Sequence, residues 1–184
     1  MKENPYNTAE EGTDFYDNYD IPEADFTCAH LWPDNWGVDS RGQEEEAEFT
    51  DLWIKRHSQL SSRLGKPYVL TEFGKRLNGL GRVAHFNKVF DVGYRLAEAG
   101  PPMMGAMFWN FALAPVGVTV PRVDYEVLAL RSASGSENPP FKTPEEFNEM
   151  VNEAVVQAAA RFNALRTQNV TPRFGRGIFE SDMN

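Results

Sequence analysis

Three stretches of this 184-residue chain end an apolar run in side chains that can do chemistry. The first is His30-Leu31-Trp32-Pro33-Asp34-Asn35-Trp36, the second Glu72-Phe73-Gly74 and the third Phe108-Trp109-Asn110-Phe111. A carboxylate, an imidazole and several indoles make a set suited to carbohydrate. An indole face stacks on the apolar C–H face of a pyranose, and a carboxylate attacks or stabilises an oxocarbenium-like centre. Each residue also has a plainer reading. A Glu after an apolar strand serves as a helix cap or ion-pair partner, and an isolated His as a satisfied hydrogen-bonding group. A single Trp is usually core, and Trp53, at helical spacing with Leu52, Leu60 and Leu64, reads as core. The three endings together are harder to dismiss than any one of them.

The elements that carry these endings follow from periodicity. Asp25–Leu31 reads as a strand entered from Ile21-Pro22, and Tyr68-Val69-Leu70-Thr71 as a buried strand behind Pro67. Met103 to Phe111 is almost wholly apolar, the pattern of a strand buried on both faces. Between them lie two helices. One shows Leu52, Trp53, Leu60 and Leu64 on its apolar face with Gly65 at the C′ position. The other is lined by Val83, Phe86, Val89, Phe90 and Leu96. The predicted series is β(25–31), α(46–64), β(67–72), α(82–99), β(103–110), an α/β arrangement with a parallel sheet and right-handed crossovers. The C-terminal edge of such a sheet is where sites are built, so His30, Glu72 and the indoles should converge there. Residues 112–143 read as irregular. A last helix runs from Pro144 to about Thr167, capped by Thr143, with Phe147, Met150, Val151, Ala154, Val155, Ala158 and Phe162 on its buried side.

Composition bounds the partners. The chain holds 18 Lys+Arg and 27 Asp+Glu, a net charge of −9, with 41% hydrophobic and 12% aromatic residues. That is a globular composition, and its acidity argues against nucleic acid or an anionic membrane as partner. No apolar run reaches the roughly 18 residues of a membrane span, and MKENPYNTAEEG lacks the apolar stretch of a signal peptide. Cys28 is the only cysteine, and the single Cys and three His are too scattered for zinc-ligand spacing. Residues 1–51 carry a net charge of −13 and the remainder +4. The acidic front, residues 1–23 above all, reads as loop, and Glu44-Glu45-Glu46-Ala47-Glu48 as the solvated first turn of a helix.

The order AHLWPDNW, KPYVLTEFG and GAMFWNF resembles strands six, seven and eight of a glycoside hydrolase family 5 enzyme, most closely its endo-β-1,4-mannanase branch. Gly12-Thr13-Asp14-Phe15 and the spacing of His30, Trp32 and Trp36 resemble that branch too, and the likeness covers about residues 12–111. It implies the C-terminal portion of a (β/α)8 TIM barrel, and hydrolysis of internal β-1,4-mannosidic bonds in mannan-type polysaccharides. By the same likeness Glu72 matches the catalytic nucleophile, His30 the histidine that orients groups around it, and Trp109 the platform under the sugar at the cleavage point. Trp36 resembles a tryptophan lining the cleft, and Trp32 stands where many members carry a tyrosine that contacts the nucleophile. No metal or organic cofactor is implied, and the complete enzyme is expected outside the cell.

One part of the machinery is missing from the sequence. A retaining glycosidase needs a second carboxylate as acid/base, about 5–5.5 Å from the first. The family places it in Asn-Glu-Pro after strand four. Here Asn-Glu occurs only at Asn148-Glu149 and Asn152-Glu153, inside the last helix, while Glu3-Asn4-Pro5 and Glu137-Asn138-Pro139 have the wrong order. No acid/base is found. A barrel of this kind takes about 250 residues and eight strands. The sequence is therefore expected to be a single partial catalytic domain: βαβαβ over 24–111, loop 112–143, closing helix 144–168 and tail 169–184. Such a chain is inactive alone and wants the N-terminal half of the barrel as partner. The rival expectations are a non-catalytic carbohydrate-binding remnant, another family 5 β-glycanase such as a cellulase or glucanase, or a plain α/β interaction fragment with no sugar role.

Overall fold

The computed structural model describes residues 14–76, 80–100, 102–113, 127–129 and 144–167. Gly12, Thr13, Gly79, Thr143, the two Glu-Asn-Pro stretches, most of 112–143 and the tail lie outside them. The elements are α1 (Phe15–Tyr19), β1 (Thr27–Leu31), α2 (Gln43–Arg63), β2 (Tyr68–Phe73), α3 (Leu80–Ala99), β3 (Met103–Phe108), β4 (Phe111–Leu113), β5 (Val127–Ala129) and α4 (Pro144–Thr167). β1, β2 and β3 form a parallel sheet in that order, as expected. Among the described residues β1 and β3 each have one sheet neighbour, so the sheet is open and not closed on itself.

The core lies between this sheet and its helices. Leu31, Ile54, Tyr68, Leu70, Phe73, Phe86 and Val89 are wholly buried there. The α2 helix stops where expected. Gly65 at φ 66° sends its N–H to Ser62 O (3.1 Å) and the Lys66 N–H reaches Ser61 O (3.0 Å), the paired bonds of a Schellman motif that needs the left-handed residue glycine supplies. α3 buries Val83, Phe86, Val89 and Phe90, as its spacing predicts. On α4, Val151, Ala154 and Ala158 are buried, and Phe162 meets the Tyr94 ring at 5.9 Å.

Four expectations need correction. The buried face of α2 is Glu46, Phe49, Thr50, Ile54, Ser58 and Ser61, while Leu52 is 57% exposed. Small hydroxyl residues line it because the helix approaches the sheet closely; Ser61 Oγ lies 2.6 Å from Thr27 Oγ1 on β1. The acidic first turn of α2 is not wholly solvated either, since Glu46 is buried with charged partners described below. β3 is not buried on both faces: Met104, Met107 and Trp109 are about half exposed because no layer covers that side of the open sheet among the described residues. It ends at Phe108, and after the cis Trp109–Asn110 bond the chain resumes as β4. β4 pairs in parallel with β5, so the stretch read as irregular holds a short strand at Val127–Ala129.

Candidate active site

The site is set by register. Thr27, Cys28 and Ala29 stand opposite Tyr68, Val69 and Leu70, then β2 takes an extra residue at Thr71, so His30 faces Glu72. A bulge re-aims the side chains that follow it. Without this one, His30 would face Thr71 and the period-2 alternation would turn it from Glu72. His30 Nδ1 lies 3.4 Å from Glu72 Oε2, with the two side chains 50% and 32% exposed. The pair is thus open to solvent and to a ligand. His30 is held from behind, where Trp53 Nε1 donates to its carbonyl at 2.9 Å.

Trp109 arrives from the third strand end. Its backbone N–H donates to Phe73 O at 2.7 Å, next along the chain from Glu72, and the residue is 50% exposed. Trp32 is half-buried against the same turn. A Cβ built at Gly74 would lie 2.7 Å from the Trp109 carbonyl oxygen and 2.7 Å from the Trp32 ring. One of those atoms is backbone and cannot swing away. Gly74→Ala is therefore expected to destabilise the fold by about 1–3 kcal/mol, the cost of overpacking a tight contact. Chemical denaturation checks this, and an unchanged midpoint would contradict it. Trp36 sits apart in an aromatic stack on α2, its ring 4.9 Å from Trp53 and 6.0 Å from Phe49.

Sequence reasoning missed two sets of contacts around Glu72. The loops after β1 and β2 are tied where Arg76 N donates to Asp34 Oδ2 at 2.9 Å and Arg76 Nη2 to Asn35 Oδ1 at 3.4 Å. Lys75, three residues after Glu72, is 2% exposed and its ammonium pairs with Glu46 Oε2. Glu46 Oε1 lies 3.2 Å from His85 Nδ1, and the His85 side chain is 1% exposed. Burial alone would push the Glu46 carboxyl up, but the hydrogen bonds and charges of His85 and Lys75 outweigh it and hold the carboxyl below its ordinary value. A sequence signal existed. The buried stripe Ile54, Thr50 continues at the same four-residue spacing to Glu46. Among the described residues no three His, Cys, Asp or Glu side chains converge to hold a metal ion.

A sheet edge bearing a carboxylate, an imidazole and half-exposed indoles is the arrangement expected of a sugar-cleaving barrel. Residues 3–123 match the glycoside hydrolase family 5 beta-mannosidase-like family. The chain belongs to glycoside hydrolase family 5. The mannan endo-1,4-beta-mannosidase 1 of Arabidopsis thaliana is 35% identical to it over 122 residues, 62% of this chain and 30% of that protein. The Solanum lycopersicum mannan endo-1,4-beta-mannosidase 1 is 36% identical over 101 residues, 54% of this chain and 25% of that one. The chain thus spans under a third of the length of these relatives. The endo-beta-1,4-mannanase of Thermotoga petrophila superposes with a TM-score of 0.55 at 27% identity, over 83% of this chain and 30% of that one. A family 5 mannosidase from Rhizomucor miehei superposes with a TM-score of 0.60 at 18% identity, covering 85% and 44%, a likeness of fold alone. This family 5 chain therefore holds part of a (β/α)8 barrel.

Proposed function

We propose that the chain is the C-terminal part of a β-mannanase-like catalytic domain, one that cleaves internal β-1,4-mannosidic bonds in mannan-type polysaccharide once the barrel is complete. The observation that carries this reading is the His30–Glu72 pair, 3.4 Å apart and open to solvent at the strand ends. In the complete site a Glu72 carboxylate oxygen bonds to the anomeric carbon as the glycosidic C–O bond breaks, and the leaving oxygen takes a proton from an acid/base outside this sequence. Water then resolves the glycosyl ester. His30 orients Glu72 from the neighbouring strand, and Trp109 offers its half-exposed ring as a platform. Trp32 packs beside Gly74 and borders the same subsite. Trp36 lines the cleft only through its edge, since its ring is engaged on α2. The polysaccharide is the partner, and the N-terminal half of the barrel is the polypeptide that completes the site. The complete enzyme works outside the cell, where such polysaccharide is met.

Two outcomes test this. The chain alone releases no reducing ends from mannan. Joined behind the N-terminal strands of the Arabidopsis relative, which supply the second carboxylate, it does so, and Glu72→Gln abolishes the release. Release by the chain alone, lost in Glu72→Gln, would overturn the need for a second half. In the joined protein Trp109→Ala is expected to weaken mannohexaose binding about tenfold or more, as truncation of a stacking anchor does. Titration calorimetry reads this, and an unchanged affinity removes Trp109 from the subsite.

A further inference from the structure

The residue three places beyond Glu72 is a lysine with no access to water. Lys75 is 2% exposed and pairs with Glu46 in the first turn of α2, and the second oxygen of Glu46 is engaged by His85 in the first turns of α3. The strand that carries Glu72 is thus pinned between the two helices flanking it, directly beyond its tip. On the other side of the turn, Trp109 N–H holds Phe73 O at 2.7 Å, and Gly74 admits the Trp32 ring and Trp109 carbonyl with no room for a Cβ. A buried ion pair is a poor source of net stability, because desolvating both charges offsets their attraction, and apolar residues of similar volume often serve the fold as well. What such a pair supplies is direction: it has one satisfied arrangement, whereas an apolar contact tolerates several.

We infer that Glu46, Lys75 and His85 are positioning residues that fix the loop after β2 and thereby the attack angle of Glu72. The role rests on the nucleophile reading of Glu72. None of the three touches the sugar; they act through the backbone from Phe73 to Lys75. A shift of about 1 Å in a reacting group can lower a rate on the order of 100-fold, so an anchor three residues away is close enough to matter.

The probe is 2-deoxy-2-fluoro-β-mannosyl fluoride. A Glu72 carboxylate oxygen bonds to the anomeric carbon, the carbon–fluorine bond breaks, and fluoride leaves with its electron pair. That step needs no proton donor, so in the joined protein that carries the N-terminal strands it reports on the nucleophile alone. Lys75→Met alone strands a buried carboxylate and is expected to unfold the chain, which makes it unsuitable. The informative variant is the triple Glu46→Met, Lys75→Met, His85→Leu, which removes all the polar groups together and keeps their volume. With its thermal midpoint at or above that of the parent, this variant is expected to lose about tenfold or more in the trapping rate at saturating reagent, with the half-saturation concentration unchanged. A merely structural network would leave that rate where it was. A triple variant trapped as fast as the parent overturns the positioning role while the nucleophile reading stands. A joined parent protein that takes no label overturns the nucleophile reading, and the positioning role with it.

Discussion

Lys75→Met is expected to lower the stability of the fold by about 3–5 kcal/mol, the usual consequence of removing one member of a buried ion pair. The loss comes less from a missing attraction than from the carboxylate left behind. Glu46 is 6% exposed, and after the substitution His85 on α3 is the partner that remains to it, with nothing among the described residues on the loop side of the network. Domains carry only about 5–15 kcal/mol of net stability, so an open sheet of this kind should unfold or nearly so. Denaturant unfolding against the parent reads the effect, and a change below about 1 kcal/mol would mean that the pair is relieved by water.

The same pair contributes to the acid limit of the protein. The Glu46 carboxyl is held below its ordinary value of 4.5, burial opposing and the bonds from His85 and Lys75 prevailing. A carboxyl depressed in the fold contributes its full stability above the unfolded value and loses it as pH falls through the folded one. The contribution should therefore fade from about pH 4.5 downward, and Glu46→Gln should flatten that limb of the stability profile. The basic side chains that face Glu46 are Lys75 from the loop after β2 and, on α3, His85 together with Lys88, which lines the same small cavity. Lys88 is engaged with Asp51 at 3.4 Å and does not replace Lys75.

Glu72→Gln in the completed barrel carries the larger kinetic effect. Removing a catalytic nucleophile costs on the order of 10⁴- to 10⁶-fold in kcat, because the remaining groups cannot form the covalent intermediate. The amide keeps the shape of the side chain beside His30, so folding and mannohexaose affinity should change little. That separation distinguishes chemistry from packing. A fall in affinity with kcat preserved would assign Glu72 to binding alone.

Much of this was legible in the sequence, for physical reasons. Strand, helix and strand announced themselves by period, and Gly65 marked the end of α2 because a left-handed residue there is a steric requirement. His30, Glu72 and Trp109 could be placed on one edge because parallel strands send their C-terminal ends the same way. What the sequence hid depends on contacts between distant segments. The extra residue at Thr71 that brings His30 opposite Glu72 leaves no mark on hydrophobic periodicity. Glu46 sits in a run of like charges whose members differ only in the direction each points along the helix, and its partners lie 29 and 39 residues away at Lys75 and His85. The face of α2 differs from its leucine spacing for a related reason: a close helix–sheet approach favours the small hydroxyl residues Thr50, Ser58 and Ser61, which hydrophobic periodicity does not register. β5 is three residues long, too short for alternation to register.

If Glu72 attacks the sugar, the covalent bond it forms can be mapped to a residue. The chain joined to the N-terminal strands is incubated with 2-deoxy-2-fluoro-β-mannosyl fluoride, digested, and the modified peptide sequenced by tandem mass spectrometry. The account predicts a single fluoromannosyl ester on Glu72 in the peptide spanning Tyr68–Lys75, absent from Glu72→Gln. An unmodified chain, or an ester on any other carboxylate, would contradict it.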